Sequence, residues 1–458
     1  MNYAESVRAL LALGRELASP RQARVQKFGL ENISLLAAAL GRPHRAAPCV
    51  HIAGTNGKGS VAAMLDSILR ASGRRVGLYT SPHLVRINER IRIAGQDISD
   101  EEFAAAWTRV QAAIESLLAE GKLAAHPTYF ECITALAIVA FAHAGVDFAV
   151  FETGLGGRLD ATNIVAPEVA AITSIDFDHE DFLGHSIEEI AAEKAGIIKP
   201  GGWVVSAAER PEARAVLARR CQEQGARLIE ISTAWRVEEI TSADGCYRAA
   251  VSENDFPGKI TLEPPLPGRF QVRNALTAAA VARLLARRGF PVTDAAIESG
   301  VRSVRWPGRL ERLLARPAVY LDGTHNPAGA RELQKFWEEN FAGRRILLVY
   351  GAMRDKAVDE IAGILFPRAD IIVLTEPRQP RAISTPLLAE MTSHLAREFQ
   401  TVADPAAALE QAIALARPED AIFATGSLYL VGDLRAYWQS RAVPHPAMGQ
   451  MVRLPEKS

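Results

Sequence analysis

Short apolar runs alternate along this chain with longer segments in which apolar positions recur at helical spacing. Such an alternation is typical of parallel sheets whose strands are joined by crossover helices. One helix start is marked by Ser99 and Glu102, which have the spacing of a capping box. The pattern therefore predicts an α/β fold, with strands near 76–80, 148–152, 170–174 and 203–207, and again near 319–322, 346–350, 371–375 and 421–424.

The alternation is interrupted twice, and the interruptions predict how the chain is divided. Residues near 235–265 are typical of a small β excursion, and residues 302–316 are typical of a linker. A length of 458 residues is about three times that of a common single domain. We therefore predict a large domain of the P-loop ATPase type with a mostly parallel sheet over 1–301. A smaller Rossmann-like α/β domain is expected over 317–458.

The segment GTNGKGS, residues 54–60, follows an apolar run and leads into a helical pattern. Backbone N–H groups and the macrodipole at a helix N-terminus attract anions, and glycines let the backbone curl around phosphates. Lys58 can neutralise phosphate oxygens, and the Ser60 hydroxyl can reach a bound Mg²⁺. The turn is shorter than the eight-residue Walker pattern, so an ordinary loop is the alternative. Its flanking strand and helix favour a nucleoside triphosphate site.

Polar residues also follow other predicted strands, where open α/β sheets bind their ligands. The segment 80–83 precedes several arginines and is either a solvated basic loop or a loop that closes over an anionic substrate. Glu152 ends a buried strand, where a carboxylate suits Mg²⁺. An ion pair between Glu152 and Arg158 would explain the same position.

Weaker signals lie further along the chain. A lone histidine is usually structural, but His179 lies beside Asp178, which favours a metal or phosphate role. Lys194, near a predicted helix end, would by itself most often be a surface residue. Residues 322–327 and 426–427 are predicted strand-to-helix turns that could present groups to a ligand between the domains. Asp and Asn are also ordinary turn and cap residues, so these turns alone indicate little.

Composition narrows the class of protein. Apolar residues make up 48% of the chain, enough for a packed core, and the net charge of −1 argues against general nucleic-acid binding. The N-terminus lacks the pattern of a signal peptide, and no apolar run is long enough to cross a bilayer. We expect a cytoplasmic protein that binds neither nucleic acid nor membrane. Free thiols are expected at the four scattered cysteines: Cys49, Cys132, Cys221 and Cys246.

Taken together, these motifs resemble the folylpolyglutamate synthase / dihydrofolate synthase family of the Mur ligase superfamily. The match runs through nearly the whole chain in the family's order. The motifs are GTNGKGS (54–60), TSPHL (80–84), INERIRI (87–93), TYFE (128–131), ETGLGGRLDATN (152–163), DHEDFLG (178–184), EKAGIIKPG (193–201), WPGRLE (306–311) and DGTHNP (322–327).

The resemblance implies an ATP-dependent ligase that joins L-glutamate to a pteroate or folate carboxylate. The reaction would pass through an acyl phosphate and release ADP and phosphate. ATP would be a co-substrate and two Mg²⁺ ions the cofactors, with room for a monovalent cation. The protein would act as a monomer on small-molecule substrates.

Residue roles follow from the matching motif positions, as the resemblance implies them. ATP would be held by Gly57, Lys58, Gly59, Ser60, Asn274, Arg309 and Asp322. Metal ligands would be Ser81, Glu152, His179 and Lys194, the last in carbamylated form. The pterin substrate would contact Phe28, Gly29, Leu30, Thr128, Tyr129, Phe130, Glu131, Leu159, Asp160 and Ala161, and the incoming glutamate would contact His325 and Ser427. Catalytic roles would fall to Lys58, Lys194 and His325.

Several activities are compatible with these motifs. The first is a bifunctional enzyme that uses both dihydropteroate and folates, and the second is a monofunctional folylpolyglutamate synthase. A muropeptide ligase of the same superfamily is disfavoured by TYFE and the loop GLGGRLDATN. A nucleotide sensor without ligase activity is disfavoured by Glu152, His179 and Lys194, because a sensor needs no second metal site.

Overall fold

The computed structural model describes residues 1–14, 29–254, 258–395 and 398–442 of the chain. Within these ranges the strands form sheets of eight, three and six strands, which confirms the predicted α/β fold with a large, mostly parallel sheet. None of the helices in the same ranges has both the length and the apolar character that crossing a bilayer requires. All four cysteines are free thiols, as expected.

The first sheet consists of β1 (Cys49–Ala53), β2 (Val76–Tyr79), β3 (Ile91–Ile93), β4 (Gln96–Asp97), β5 (Phe148–Glu152), β6 (Val169–Ile172), β7 (Trp203–Ser206) and β8 (Arg227–Glu230). Its order is β4-β3-β2-β5-β1-β6-β7-β8, with β3 and β4 antiparallel at one edge and the other strands parallel. β1 lies between β5 and β6, so the loops that follow these three strands share one edge of the sheet.

Helices cover both faces of this sheet. Among the described residues they are α1 (Tyr3–Ala12), α2 (Glu31–Ala39), α3 (Lys58–Ala71), α4 (Asp100–Ala119), α5 (Tyr129–Ala144), α6 (Glu180–Leu183), α7 (Ile187–Ala195), α8 (Pro211–Glu223), α9 (Ile231–Ala234), α10 (Phe270–Arg287) and α11 (Asp294–Ser303). Short 3₁₀ helices lie at Pro43–Arg45, Ile87–Arg90 and Ala161–Ile164. Helix α3 is enclosed between the sheet, α10 and α11, which is why its residues from Gly59 to Leu69 are buried. The capping box of Ser99 and Glu102 is present at the start of α4.

The predicted β excursion near 235–265 is an antiparallel sheet. It consists of β9 (Trp235–Ala243), β10 (Cys246–Glu253) and β11 (Lys259–Leu262) in the order β11-β10-β9. Its buried face joins the same apolar core as α3 and α10. Tyr247 extends from it to donate a hydrogen bond to Glu339.

The second large sheet consists of β12 (Glu311–Ala315), β13 (Ala318–Leu321), β14 (Ile346–Tyr350), β15 (Ile371–Leu374), β16 (Gln400–Thr401) and β17 (Ala421–Thr425). Its order is β12-β13-β17-β14-β15-β16, and only β12 is antiparallel to its neighbour among these strands. β12 lies inside the segment 302–316 that the sequence predicts as a linker, because its backbone pairs with β13 in an antiparallel ladder. The division into two domains stays a prediction.

Helices again cover the second sheet: α12 (Pro327–Asn340), α13 (Val358–Leu365), α14 (Thr385–Thr392), α15 (Pro405–Leu415) and α16 (Leu428–Ala442), with a 3₁₀ helix at Phe366–Arg368. The core on one face contains stacked aromatic side chains such as Tyr320 and Phe423, whose ring centroids are 5.1 Å apart. Polar turns follow β13, β14 and β17, and these turns face the loops of the first sheet across a shared cavity.

Candidate active site

A cavity of about 980 Å³ lies at the carboxyl ends of strands from both large sheets. The loops after β1, β2, β5 and β6 form one side, and the loops after β13, β14 and β17 form the other. The cavity is lined by the following residues named from the sequence: Gly29, Gly57, Lys58, Gly59, Ser60, Ser81, Thr128, Tyr129, Phe130, Glu131, Glu152, Leu159, Asp160, Ala161, His179, Lys194, Asn274, Arg309, Asp322, His325 and Ser427.

Among the described residues, Leu30 is the one named position outside this lining. Leu30, expected at the pterin site, precedes α2 and packs against the apolar core beside that helix instead. Contact between Leu30 and the pterin stays a prediction, since its side chain is partly buried beside this core. Phe28 lies outside the described residues.

The glycine-rich turn, residues 54–60, has a backbone shape that glycine adopts at low cost. Gly54 and Gly57 have φ angles of +151° and +89°. A Cβ on Gly54 would lie 1.8 Å from Thr173 Oγ1, and one on Gly57 would lie 2.4 Å from Asn274 Oδ1. The turn leads directly into α3, so the first turn of this helix lines the cavity. This arrangement can bind an anion through backbone N–H groups.

Residues that follow β6 hold the glycine-rich turn in place. Thr55 N donates to Ser174 O at 2.7 Å, and Asn56 N donates to Ser174 Oγ at 3.2 Å. Ser174 Oγ donates in return to Asn56 O at 3.1 Å. Thr55 Oγ1 also bonds to the backbone of Asp176. The turn is therefore shaped before any ligand is bound.

The Lys58 ammonium folds back over this turn. Its Nζ donates to Gly54 O at 2.9 Å and to Thr55 O at 3.0 Å. Burial lowers the pKa of Lys58, while the nearby carboxylates of Glu152 and Asp178 raise it. Because both hydrogen-bond acceptors are neutral carbonyls, the positive charge can interact with an anion in the cavity.

Glu152 is the last residue of β5, and it is 4% exposed. Its Oε2 accepts a hydrogen bond from Ser81 N at 3.2 Å, which brings these two predicted metal ligands together. Burial raises the pKa of Glu152 to about 7 against the opposing effect of Lys58. Arg158 pairs with Glu193 at 2.8 Å, so the alternative ion pair between Glu152 and Arg158 is wrong.

Asp160 holds the loop that follows β5. Its Oδ2 accepts from Gly154 N at 2.8 Å and Leu155 N at 3.0 Å. Its Oδ1 accepts from Thr162 N at 3.0 Å and from the Thr162 hydroxyl. Both carboxylate oxygens are thus engaged within the loop, and Asp160 shapes the cavity wall through them.

Asp178 lies between the two large sheets and connects them. Its Oδ1 is 2.7 Å from Lys356 Nζ, and its Oδ2 is 3.1 Å from Asn326 Nδ2 and 3.4 Å from His325 Nε2. Burial would raise the pKa of Asp178, but the Lys356 ammonium and a hydrogen bond with His325 hold it well below its usual value. The sequence analysis did not identify Lys356 as a site residue. Lys356 lies in the loop after β14, and positions that follow a strand identified other residues of the site.

His179 follows Asp178 in a left-handed conformation, with φ of +53°. Burial lowers the pKa of His179 to about 3, so the ring is neutral and its Nε2 can accept a hydrogen bond from Lys356 Nζ at 3.1 Å. A neutral imidazole is also the form that binds metal ions. Metal binding through Nε2 would require Lys356 to release this nitrogen.

Lys194 lies in the last turn of α7 and is 3% exposed. The expectation of a surface residue is therefore wrong, because the helix turns this side chain into the cavity wall. Burial, with the added repulsion of Lys58, lowers the pKa of Lys194 to about 7. A substantial fraction of the amine is then neutral near pH 7.

The segment 128–131 begins helix α5. Thr128 N donates to Glu131 Oε2 at 2.7 Å and Glu131 N donates to Thr128 Oγ1 at 3.3 Å, which forms a capping box. The Glu131 carboxylate is therefore engaged by the helix start. Phe130 packs over Gly154, where a Cβ would lie 2.4 Å from its ring. Tyr129 and Phe130 thus add aromatic surface to the cavity wall.

Asp322 follows β13 and holds two neighbouring segments together. Its Oδ2 accepts from Leu310 N and its Oδ1 accepts from Thr324 N, both at 3.0 Å. Arg309 donates to Gly308 O at 3.0 Å. Burial lowers the pKa of Arg309, while Asp322 raises it. A half-buried cation therefore lies on the second-sheet side of the cavity.

His325 and Ser427 lie on the second-sheet side, where two strand-to-helix turns meet. His325 Nδ1 is 2.7 Å from Gly323 O, and its other nitrogen faces Asp178. Ser427 is 2% exposed, and its hydroxyl accepts from Tyr429 N at 3.1 Å near the start of α16. Both side chains line the same cavity as the glycine-rich turn.

Sequence reasoning also missed a direct link between the glycine-rich turn and the second sheet. Asn56 Nδ2 donates to Asn326 Oδ1 at 3.0 Å, and Asn326 Nδ2 donates to Asn56 Oδ1 at 2.9 Å. Each asparagine alone has the pattern of an ordinary turn or cap residue. The sequence therefore carries no signal for their pairing.

The arginines after β2 have internal partners. Arg90 is 2% exposed, and its Nε donates to His83 Nδ1 at 2.8 Å. Arg86 pairs with Asp100 at 2.6 Å. None of Arg86, Arg90 and Arg92 lines the cavity. Their positions do not support direct contact with an anionic substrate there.

The donor set of the cavity suits a hard cation that binds together with phosphate. Among the described residues, no three His, Cys, Asp or Glu side chains form a ready metal cluster. Mg²⁺ commonly takes one or two carboxylates together with phosphate oxygens and water, so a full protein cluster is not required. The Ser81 hydroxyl and the Glu152 carboxylate are oxygen donors of this type, and the raised pKa of Glu152 indicates that a cation would stabilise its ionised form.

Comparison with known families covers most of the chain. The profile described as Mur ligase middle domain matches residues 52–282, and the profile described as Mur ligase, glutamate ligase domain matches residues 308–428. The dihydrofolate synthase/folylpolyglutamate synthase of Bacillus subtilis (strain 168) is 36% identical over 413 residues, which cover 89% of this chain and 94% of that protein.

Solved structures show the same similarity. Mycobacterium tuberculosis folylpolyglutamate synthase complexed with ADP has a TM-score of 0.86 and 33% identity, over 95% of this chain and 98% of that one. E. coli FolC in complex with DHPP and ADP has a TM-score of 0.83 and 32% identity, over 97% of this chain and 99% of that one. The shared architecture therefore extends through both large sheets.

Proposed function

This chain belongs to the Mur ligase family and is an ATP-dependent ligase of the folylpolyglutamate synthase and dihydrofolate synthase type, and we propose that it adds L-glutamate both to dihydropteroate and to folate polyglutamates. The observation that carries this proposal is the composition of one cavity. It joins an anion-binding glycine-rich turn, a wall with two aromatic side chains, and the polar turns of the second sheet. These three surfaces suit a triphosphate, a planar pterin and an amino acid, respectively.

The chemistry requires activation of a carboxylate. A carboxylate oxygen of the folate attacks the γ-phosphorus of ATP, the bond to ADP breaks, and an acyl phosphate forms. The glutamate amine then attacks the acyl carbon, phosphate leaves, and the nitrogen loses a proton. Lys58 and the backbone N–H groups at the start of α3 would stabilise the charge that develops on the transferring phosphoryl group.

We propose the following contacts for the substrates. Gly57 to Ser60, Asn274, Arg309 and Asp322 would hold ATP, supported by their common position on the cavity wall. Gly29, residues 128–131 and residues 159–161 would contact the pterin. His325 and Ser427 would contact the incoming glutamate from the second-sheet side. Enclosure between the two sheets would exclude water, which otherwise hydrolyses an acyl phosphate.

Metal ions are part of this proposal. Ser81, Glu152 and His179 would ligate Mg²⁺, and the carboxylate of carbamylated Lys194 would support a second ion. When bound, Mg²⁺ supplies positive charge that neutralises phosphate oxygens. The support from this chain is the Ser81–Glu152 contact of 3.2 Å and the raised pKa of Glu152.

Carbamylation of Lys194 has its own support. A neutral amine can add to carbon dioxide, forming an N–C bond and releasing a proton, whereas an ammonium cannot. Burial of Lys194 favours the neutral amine, and its helix directs it toward the cavity. The product would replace a buried positive charge by a carboxylate.

We also propose that the enzyme acts as a monomer in the cytoplasm. The described part of the chain supplies the glycine-rich turn, the aromatic wall and the second-sheet turns of the cavity, which supports this proposal. The four free thiols are typical of a reducing compartment. The proposal includes a monovalent cation as an additional cofactor of the phosphate site.

Mass spectrometry of the products tests the proposal. The protein is incubated with ATP, Mg²⁺ and glutamate, and with dihydropteroate, a tetrahydrofolate or a muropeptide precursor in turn. Products one glutamate heavier are expected from the first two acceptors, each with stoichiometric ADP. A product from folates alone would establish the monofunctional alternative. ATP binding without an amide product from any acceptor would overturn the ligase assignment.

A further inference from the structure

Asn326 uses every hydrogen-bonding position of its side chain, and it is 2% exposed. Its Oδ1 accepts from Gly329 N at 2.8 Å and from Asn56 Nδ2 at 3.0 Å. Its Nδ2 donates to Asn56 Oδ1 at 2.9 Å and to Asp178 Oδ2 at 3.1 Å. A primary amide has two donor hydrogens and two main acceptor positions. All four are therefore engaged.

Two of these partners determine how the amide is oriented. The backbone N–H of Gly329 can only donate, so it requires the oxygen of Asn326. The ionised carboxylate of Asp178 can only accept, so it requires the nitrogen. Asn56 must then pair reciprocally with both atoms of Asn326. We call this pair the amide clip, consisting of Asn56 and Asn326.

The amide clip joins elements that are 270 residues apart in sequence. Asn56 belongs to the glycine-rich turn, whose backbone is held by Ser174. Asn326 is the N-cap of α12, which packs on the second large sheet. The clip is neutral, whereas the neighbouring link between Asp178 and Lys356 is an ion pair.

We propose that Asn326 is a positioning residue for nucleotide binding, which acts through Asn56 to hold the glycine-rich turn in the shape that receives the triphosphate. Asn326 itself does not line the main cavity, whereas Asn56 does. The inference rests on the proposed function, because it takes the turn to be the ATP site. According to this inference, the affinity for ATP depends on Asn326, which is the N-cap of α12 beside the second large sheet.

The chemistry of possible replacements separates this role from helix capping. Aspartate caps a helix about as well as asparagine. It cannot donate to Asn56, and it would place a second carboxylate beside Asp178. Serine also caps well but is too short to reach Asn56. Asn326→Asp and Asn326→Ser therefore keep the cap and break the clip by different means.

Calorimetric binding of a non-hydrolysable ATP analogue with Mg²⁺ tests the inference without ligase turnover. We expect about tenfold weaker binding by both variants, because Asn326→Ser loses both hydrogen bonds to Asn56, whereas Asn326→Asp loses one and places a carboxylate oxygen against Asn56 Oδ1. Their thermal midpoints should fall, because buried partners of Asn326 lose hydrogen bonds, so binding is measured well below the midpoints. The matched control is Asp404→Asn at the N-cap of α15, which also precedes a proline, accepts from Ala407 N at 3.0 Å and is remote from the cavity lining. It should bind as the unaltered protein does.

A double-mutant cycle with Asn56→Ala and Asn326→Ser decides whether the two residues act together. The double variant should bind the analogue about as weakly as the weaker single variant, because either change already breaks the clip. Fully additive losses would overturn the proposal. So would unchanged binding by both Asn326 variants when the unaltered protein binds. Failure of the unaltered protein to bind nucleotide would instead refute the proposed function.

Discussion

The two sides of the nucleotide region are built by opposite means. The glycine-rich turn consists mainly of neutral backbone groups, whose shape is determined by positive φ angles and by hydrogen bonds to Ser174. The charged wall, which we define as Glu152, Asp178, His179 and Lys194, consists of titratable side chains that are buried at Glu152 and Lys194 and partly buried at Asp178 and His179. Burial raises the pKa of Glu152 and lowers the pKa of Lys194, each to about 7.

This difference shows where a ligand must supply charge. Neutral N–H groups can be arranged in advance at low cost because their neighbours satisfy the rest of the backbone. Buried charges cannot be arranged in the same way, since desolvation disfavours the charged form of acids and bases alike. Under the proposed function, the displaced pKa values of Glu152 and Lys194 indicate the wall where bound cations would supply the missing charge. Ligand binding therefore depends on the backbone shape of the glycine-rich turn and on compensating charge at the charged wall.

Lys58 is the charged member of the turn, so its removal is expected to have the largest effect. Lys58→Ala should lower the ligase rate by about a hundredfold or more, because the transferring phosphoryl group loses a cation. Circular dichroism should show an intact fold. Lys122→Ala on the exposed surface is the control and should retain the normal rate. A folded Lys58→Ala that keeps at least half of the rate would refute the phosphate role.

Lys194→Ala tests whether the charged wall needs an added carboxylate. The variant should be almost inactive, and short carboxylates such as acetate should restore part of the rate. In the unaltered enzyme, ¹³C-labelled bicarbonate should produce a carbamate signal by NMR. Since the pKa of Lys194 is lowered to about 7, the neutral amine increases as pH rises through that value. At a fixed concentration of dissolved carbon dioxide, carbamylation should therefore be faster at pH 8 than at pH 6.

An unmodified Lys194 amine in a high-resolution map with ATP, Mg²⁺ and bicarbonate would contradict carbamylation. It would also weaken the contrast between turn and wall, because the wall would then function with its own charges alone.

Glu152→Ala and His179→Ala should each raise the Mg²⁺ concentration for half-maximal activity, by about tenfold, because a ligand is lost. Glu152→Gln should be nearly as harmful, since the amide keeps the shape but not the charge. Titration of activity with Mg²⁺ at saturating ATP measures the effect, with exposed Glu120→Gln as the control. An unchanged Mg²⁺ dependence in both alanine variants would refute the proposed metal site at the charged wall.

Gly57→Ala tests the other side of the comparison and should have the smallest effect. Its matched control is Gly73→Ala, because Gly73 has a similar φ of +86° but has no atom within 4 Å of an added Cβ. Both changes should reduce stability by about 1 kcal/mol through backbone strain. Only Gly57→Ala places a methyl group 2.4 Å from Asn274 Oδ1, so it alone should weaken ATP binding severalfold. Equal ATP affinities would show that the turn tolerates a change of shape.

Much of the fold was predictable because local sequence and local structure agree. The strands near 148–152 and 346–350 were predicted with their observed bounds, since buried parallel strands are short and continuously apolar. The capping box at Ser99 reflects interactions within four residues. The segment 302–316 was less predictable, because β12 is stabilised by pairing with β13 at a sheet edge and not by its own pattern.

Only part of the candidate active site could be predicted from the sequence. Motif positions led to Lys58, Glu152 and His179, because glycines, carboxylates and histidines at strand ends are informative by residue type. The burial of Lys194 could not be predicted from the sequence. A lysine near a helix end has no local feature that shows whether its side chain is buried in a cavity wall or exposed to solvent. Lys356 was missed for a related reason, because its partners Asp178 and His179 are remote in sequence.

By itself the sequence determined the order of strands and helices, the anion-binding turn and the resemblance to a ligase family, because these depend on residue type and short-range spacing. Only the tertiary structure decided which side chains are deprived of water and which distant residues meet. It lowered the pKa of Lys194, engaged both oxygens of Asp160 within its own loop, and paired Asn56 with Asn326. Desolvation and hydrogen bonding between remote segments arise when the sheets pack together, so no local pattern in the chain records them.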